Sequence, residues 1–450
     1  MTTLSALRAD FITANPKSRA AFERARSVLP GGNTRAVFNS QPFPLVLESA
    51  QGCEVTSLDG RTYLDFASDF TAALHGHSHP VIRDAVAEAL TKGFAHGGVM
   101  EKEAELGEII RRRLPSMEKM RFCNSGTEAN MYAVALALVV TKRNKILVLD
   151  GGYHGGTMSF RNSNSNPLNL PYDFLIGTYD SIPKTQALLN TITTDSLAAV
   201  IVEPMQSAGG VRPASPQFLS FLRETANTHN ALLIFDECVT SRLHYHGMQG
   251  ALGINPDLTT VGKYMGGGFP FGAFGGRTEI MDLFDPYVRG FGNPGALFHS
   301  GTFNGNHFTM SAAVAAAGLV TESEIERLNG LGGRLRNRAG EIVNDSGGGG
   351  GGLLSFSGYG REREELREMF YLLLLQRGIM NGGRGFVSLN LMHSDREVDL
   401  FLEGIQAFVD LQPFLKCLYQ HSGTAYKGAN IDKNSTQIAT DYLVYKKRLW

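Results

Sequence analysis

The feature that most constrains this chain is a rhythm. From about residue 80 to about residue 320, stretches of helical spacing alternate with short runs that are apolar on both faces. The runs are Lys-Ile-Leu-Val-Leu at 145–149, Ala-Ala-Val-Ile-Val at 198–202 and Leu-Leu-Ile-Phe at 232–235. A strand with no polar alternation has no face to offer water, so it belongs inside a mostly parallel sheet covered by helices on each side. Helical spacing at 82–90 and 101–114 supplies such layers.

The chain's 450 residues predict two or three structural units, with length enough for a core that needs no disulfide scaffold. Lys plus Arg is 42 against Asp plus Glu 43, which removes the electrostatic case for a nucleic-acid or anionic-membrane partner. Charged residues at 19%, 52 glycines and 43% hydrophobic residues describe a globular enzyme with tight loops. Cys53, Cys123, Cys238 and Cys417 have no CxxC spacing, so neither a zinc knuckle nor a disulfide framework is expected. The longest apolar run, 131–140, is half a membrane span, and the segment holding Arg8, Asp10 and Lys17 has no apolar signal core. The expected location is cytoplasmic, and Asn434-Ser435-Thr436 is read as a chance glycosylation sequon.

Around the α/β region the organisation changes. Residues 1–66 read as an N-terminal helical arm ending at Pro30-Gly31-Gly32, then a small antiparallel hairpin turning at Leu58-Asp59-Gly60-Arg61, both assigned to a small domain. Residues 67–320 form the large domain. Residues 321–412 form the C-terminal small domain, with helices at 322–335, 362–376 and 395–410 and a strand at 385–391. The six glycines Gly347–Gly352 predict a mobile loop. Residues 413–450 read as a peripheral or disordered tail; from Lys416 it carries six Lys or Arg against two Asp.

The chemistry-bearing residues fall just after the apolar strands, where open α/β sheets bind ligands. Asn124-Ser125-Gly126-Thr127 opens the Ala-rich stretch at 128–140, so free N–H groups and the positive helix end offer a phosphate cradle. An ordinary helix cap explains Ser-Gly-Thr as well. In Asp150-Gly-Gly-Tyr-His-Gly-Gly156, Tyr153 or His154 can lie flat on a planar ring. Asp236 ends an apolar strand and needs a cationic partner, either a protonated ring nitrogen or a structural arginine. Lys263 lies in a Gly-dense apolar segment, 252–277, where low dielectric lowers an amine's pKa and makes it a usable nucleophile. Together these make a site for pyridoxal 5'-phosphate (PLP).

The segments GTEAN, GYHGG, VEPMQ, LLIFDE, TVGKYMGGG and HSGTFNGN, in that order, resemble class III aminotransferases of PLP fold type I, in the glutamate-1-semialdehyde aminomutase-like branch. The resemblance covers about residues 10–412. It implies a large domain with a mostly parallel seven-stranded sheet flanked by helices, plus a smaller α+β domain. It also implies a homodimer with shared active sites. It makes Lys263 the Schiff-base lysine and proton shuttle, with Asp236 the partner of the pyridine nitrogen and Tyr153 the stacking ring. Ser125, Gly126 and Thr127 would hold the phosphate, reached by Thr302 from the other subunit, and His154, Glu203, Met205 and Gln206 would line the cofactor. Arg35 would bind the carboxylate of the amino donor, and Arg384 that of the α-keto acid acceptor. His75-Gly-His77-Ser-His79 suggests a metal site, but the family has a similar turn without one, so no metal is expected.

The leading expectation is therefore amino transfer from a β-amino acid of the β-phenylalanine type, or a related amine, to 2-oxoglutarate or pyruvate. Glutamate-1-semialdehyde aminomutase, an amino-acid racemase and a class III protein with impaired turnover are the alternatives.

Overall fold

A computed structural model of the protein describes residues 3–160, 166–345 and 361–411. The Gly347–Gly352 run and the tail from residue 413 lie outside the described residues. Two compact units divide the chain. One joins residues 1–79 to those from Arg327 onward, and the other spans Pro80–Glu326.

The first unit begins with α1 (Leu4–Ala14) and α2 (Pro16–Arg26). Pro16 splits the expected single arm in two, because proline suits the first turn of a new helix and not the interior of an old one. A meander follows, β1 (Leu47–Gln51), β2 (Glu54–Ser57) and β3 (Thr62–Asp65). The turn at 58–61 joins β2 to β3, with Gly60 at φ +82°.

The second unit holds α3 (Pro80–Thr91), α4 (Glu101–Arg113), β4 (Lys119–Cys123), α5 (Gly126–Thr141), β5 (Lys145–Leu149) and β6 (Asp173–Gly177). Then come α6 (Ile182–Leu189), β7 (Leu197–Val202), the short pair β8 (Met205–Gln206) and β9 (Arg212–Pro213), α7 (Pro216–Thr228) and β10 (Leu232–Asp236). It closes with α8 (Gly247–Leu252), β11 (Leu258–Gly262), β12 (Gly272–Gly276), α9 (Thr278–Met281), α10 (Pro286–Arg289) and α11 (His307–Ala317).

Its seven-stranded sheet has the order β4-β12-β11-β10-β7-β5-β6. Only β12 runs against the rest. The loop joining it to β11 is too short for the dozen or more residues that a parallel crossover needs. Every residue of β7, β10, β11 and β12 is buried, as expected of strands covered on both faces. Helix α5 packs one face of the sheet and α7 the other. The glycines of β12 (Gly-Ala-Phe-Gly-Gly) leave room for its neighbours: a Cβ on Gly275 would lie 2.6 Å from the Lys119 carbonyl oxygen of β4, and one on Gly272 2.1 Å from that of Ser125.

Helix α12 (Glu322–Asp345) runs past the expected end at residue 335. Gly330, Gly332 and Gly333 weaken its intrinsic propensity, but Leu328, Leu331, Leu335 and Ala339 keep one face buried. Helix α13 (Arg361–Gln376) packs on α1, where Arg8 meets Glu368 through two hydrogen bonds of 2.6 and 2.7 Å. β13 (Ile379–Met380) adds to the meander, parallel to β3. α14 (Asp395–Asp410) starts on a Ser394/Glu397 capping box. The strand expected at 385–391 does not form. Gly385 turns at φ +80°, and the amides of Ser388 and Leu391 bond to Phe66 and Leu74, too far apart to make a ladder.

Candidate active site

The C-terminal edges of the parallel strands assemble the candidate residues of the second unit. Cys123 ends β4, and two residues on Ser125 caps α5, its hydroxyl accepting from the Glu128 amide. A cap of this kind leaves the remaining first-turn N–H groups facing outward, which is an anion site. Glycine surrounds it by necessity. A Cβ on Gly126 would lie 2.7 Å from Cys238 Sγ. One on Gly155, at φ +116°, would lie 2.5 Å from Thr127 Oγ1.

After β5, the loop brings Tyr153 and His154. The Tyr153 ring is 42% exposed and its amide donates to Glu203 Oε1 at 2.9 Å, while His154 is buried. Glu203 follows β7 and also accepts from the Ser207 amide. Burial, with the Asp236 charge in support and His154 opposing, pushes its carboxyl up to about 7. Met205 is buried on β8. Gln206 spends both ends of its amide on protein, donating to the Asp150 carbonyl and accepting from Arg212, so it acts as a strut for the Tyr153 loop.

Asp236 ends β10 and is buried. His154 Nδ1 stands 2.9 Å from Asp236 Oδ2, Asn130 Nδ2 donates to the same oxygen at 2.8 Å, and the Cys238 amide donates to Oδ1 at 3.1 Å. Burial alone would raise its pKa. The hydrogen bond and charge of His154, the charge of Lys263 and the Cys238 amide outweigh it and hold the carboxyl below its ordinary value. Its neighbour Glu237, also buried, accepts from Thr240 Oγ1 and the amides of Met248 and Gln249, pinning the turn to the start of α8.

Lys263 follows β11 directly, with φ +53°, a conformation that costs an L-residue. Its side-chain setting is intermediate, not sealed, although Val261, Gly262, Tyr264 and Met265 around it are buried. A Cβ on Gly262 would sit 3.4 Å from Gly126 Cα, so the residue before the lysine abuts the start of α5. Thr302 is exposed.

Arg35 and Arg384 belong to the first unit. Arg35 NH1 pairs with Asp69 Oδ1 at 2.6 Å and its guanidinium covers the Phe38 ring at 4.4 Å. Asp69 sits in a stretch where Ser68, Asp69, Phe70 and Thr71 all have positive φ. Arg384 is exposed in the turn before Gly385. Of the three histidines at 75–79, His77 Nε2 stands 2.8 Å from Asp65 Oδ2, and His75 is buried.

Asn130, Thr260 and Cys238 escaped the sequence reading. Asn130 had a signal, a polar, poor helix former inside an apolar helix. Thr260 and Cys238 had none.

An anion-binding helix start, an exposed aromatic ring, a buried carboxylate held ionised and an amine beside them fit pyridoxal phosphate in charge, shape and chemistry. Fold and site together define a PLP-dependent transferase of fold type I. Residues 36–338 match the family described as aminotransferase class-III, and the chain belongs to that family: it is a PLP-dependent class III transaminase. It is 41% identical over 419 residues to the beta-phenylalanine transaminase of Variovorax paradoxus, covering 89% of this chain and 94% of the relative. The structure of the Variovorax paradoxus beta-phenylalanine aminotransferase superposes with a TM-score of 0.85 at 39% identity, covering 92% of this chain and 98% of that one. A solved transaminase with PLP bound gives 0.80 at 30% identity, covering 88% and 97%. A glutamate-1-semialdehyde 2,1-aminomutase of Methanosarcina acetivorans is 37% identical, over 74% of this chain and 80% of its own length. No helix among the described residues is long and apolar enough to cross a membrane.

Proposed function

We propose that this transaminase moves the amino group of a β-amino acid carrying an aryl or other apolar side chain to 2-oxoglutarate or pyruvate. The observation that carries this reading is Arg35. Its guanidinium stands on the Phe38 ring, so a carboxylate anchor and an aromatic surface occur together. The relative that shares 41% identity over 89% of the chain supports it.

When bound, PLP supplies an electron sink for the carbon that bears the amino group. The protein supplies the rest. Lys263 Nζ would take the proton from that carbon, pass it to the cofactor carbon that receives the amino group, and run the same transfer in reverse for the keto-acid acceptor. Asp236, kept ionised by its three donors, provides the charge that a protonated ring nitrogen needs. The first-turn amides of α5, with Ser125, Gly126 and Thr127, hold the phosphate, and Tyr153 lies against the ring. His154, Glu203, Met205 and Gln206 fix the loop and cofactor edge. Arg384 receives the acceptor's carboxylate. The enzyme works as a homodimer in the cytoplasm, with Thr302 serving the second copy's phosphate.

The test is stopped-flow absorbance of PLP-loaded protein mixed with racemic β-phenylalanine, followed by 2-oxoglutarate or pyruvate. Loss of the lysine-bound band and its return with keto acid is expected. In Arg35→Ala the donor KM should rise at least tenfold, the loss of one charged hydrogen bond worth about 1.5–3 kcal/mol. A spectrum indifferent to β-amino acids, with turnover of glutamate 1-semialdehyde in the absence of any acceptor, would replace the reading with an aminomutase.

A further inference from the structure

Asp236 and Thr260 are facing partners in the register of the parallel strands β10 and β11. Helix α5 lies across both strands and inserts Asn130 between them. All three side chains are buried, with Thr260 at 0%, Asn130 at 2% and Asp236 at 4% exposure.

The orientation of the Asn130 amide is forced. One end of it faces Asp236 Oδ2 at 2.8 Å and the His154 carbonyl at 3.3 Å. An ionised carboxylate and a carbonyl only accept, so that end is the NH2 group. Oδ1 therefore faces Thr260, whose hydroxyl donates to it at 2.6 Å. A hydroxyl has one proton, and here it is committed. If the Thr260 proton is removed, Asn130 Oδ1 loses its buried donor, and the amide is anchored only through its NH2 end.

We propose that Asn130, oriented by Thr260, is a positioning residue that fixes Asp236 in the acceptor-only, ionised state that a protonated cofactor ring nitrogen requires. The proposal rests on the reading that Asp236 partners that nitrogen. His154 is the second donor to the same Oδ2, and two donors on one oxygen restrain the carboxyl's rotation as well as its charge. Neither Asn130 nor Thr260 needs to touch the cofactor for this. They act through Asp236.

The experiment is the 15N resonance of ring-labelled PLP bound to the full-length protein, which reports protonation of the ring nitrogen independently of turnover. Thr260→Val keeps shape and deletes the donor, Thr260→Ser restores it, and Asn130→Ala removes the amide. Asp236→Asn is the reference for a nitrogen without its carboxylate. In Thr260→Val and Asn130→Ala the resonance should move toward that of Asp236→Asn. Single-turnover rates should fall five- to fiftyfold, while PLP affinity changes less than threefold. Thr260→Ser should return the resonance to the wild-type position. A wild-type resonance in both Thr260→Val and Asn130→Ala, with only the thermal midpoint lowered, would reduce the pair to packing and overturn the proposal. Should Thr260→Val fail to fold, Asn130→Ala decides alone by the same resonance. If Asp236→Asn itself leaves the resonance unmoved, the underlying reading of Asp236 fails, a result distinct from failure of the relay.

Discussion

A Cβ placed on Gly126 would lie 2.7 Å from Cys238 Sγ, so the first residue of α5 and the turn after β10 are spaced for glycine at this contact. Overpacking a filled core costs about 1–3 kcal/mol. Gly126→Ala should therefore destabilise the cofactor-free protein by about that amount and weaken PLP retention. The clash is with one side chain, so Cys238→Ala should recover much of the loss. Urea unfolding of the single and double variants gives the coupling; strict additivity would disprove the contact.

Lys263 holds φ +53°, and a left-handed backbone costs an L-residue roughly 1–2 kcal/mol, while glycine adopts it freely at some cost in chain entropy. Both Lys263→Ala and Lys263→Gly should lose the absorbance of lysine-bound PLP and at least about a hundredfold in amine transfer. They should differ in stability. The glycine variant should be the more stable by up to about 1 kcal/mol in the cofactor-free state. A more stable alanine variant would mean that the backbone there carries no strain.

Glu203 gives a pH signature. Its carboxyl sits near 7 in the fold against an ordinary value of 4.5, first because it is buried and then because Asp236 is close. Between those values the folded chain binds more protons than the unfolded chain, so stability falls as pH rises from about 4.5 to about 7. Its contribution is complete below the lower value and lost above the higher. Glu203→Gln should flatten thermal midpoints across this window. It should also lower the unfolding free energy by an amount on the order of 1–3 kcal/mol, because one amide NH2 then faces the N–H of Tyr153 or Ser207. An unchanged slope would place the carboxyl back in the ordinary range.

Asp69 and Asp65 stand four residues apart with very unequal consequences for stability. The Arg35–Asp69 pair is 48% and 40% exposed, which limits it to about 1 kcal/mol or less. Asp65 is buried and accepts from the Ala67 and Ser68 amides, with His77 Nε2 on its other oxygen, bracing the left-handed stretch at 68–71. Asp65→Ala should cost about 3 kcal/mol or more, since it leaves several buried donors unpaired. Asp69→Asn should cost under about 1 kcal/mol but change the donor KM by releasing Arg35. Equal losses in denaturant unfolding would contradict this division.

The positions of β5, β7 and β10 were legible because they depend on local composition. Runs of four or five apolar residues must be buried, and β5, β7 and β10 stand where those runs predict. Helices 395–410 and 362–376 were equally plain from spacing and caps. The residues that follow strands, Ser125, Tyr153 and Lys263, and Asp236 at a strand's end, could be singled out from one rule about where open sheets bind ligands.

What tertiary structure alone decided is how these residues meet. Asn130 and Asp236 are 106 positions apart, and Asn130 and Thr260 are 130 apart. Their contact depends on strand order and register, and those follow from whole-sheet packing that no local window contains. The strand at 385–391 was misread for the same reason: Leu389 is buried, but the amides of Ser388 and Leu391 bond to the carbonyls of Phe66 and Leu74 and not to one neighbouring strand. The four left-handed residues at 68–71 oppose local preference outright. Distant groups hold them, among them the Ser388 carbonyl and the Asn390 amide on the Ser68 hydroxyl. Sequence determined which segments hide from water and which residues stand at their ends. Tertiary structure determined which of those ends share a hydrogen bond, because that energy exists only once chain segments a hundred residues apart have been brought together.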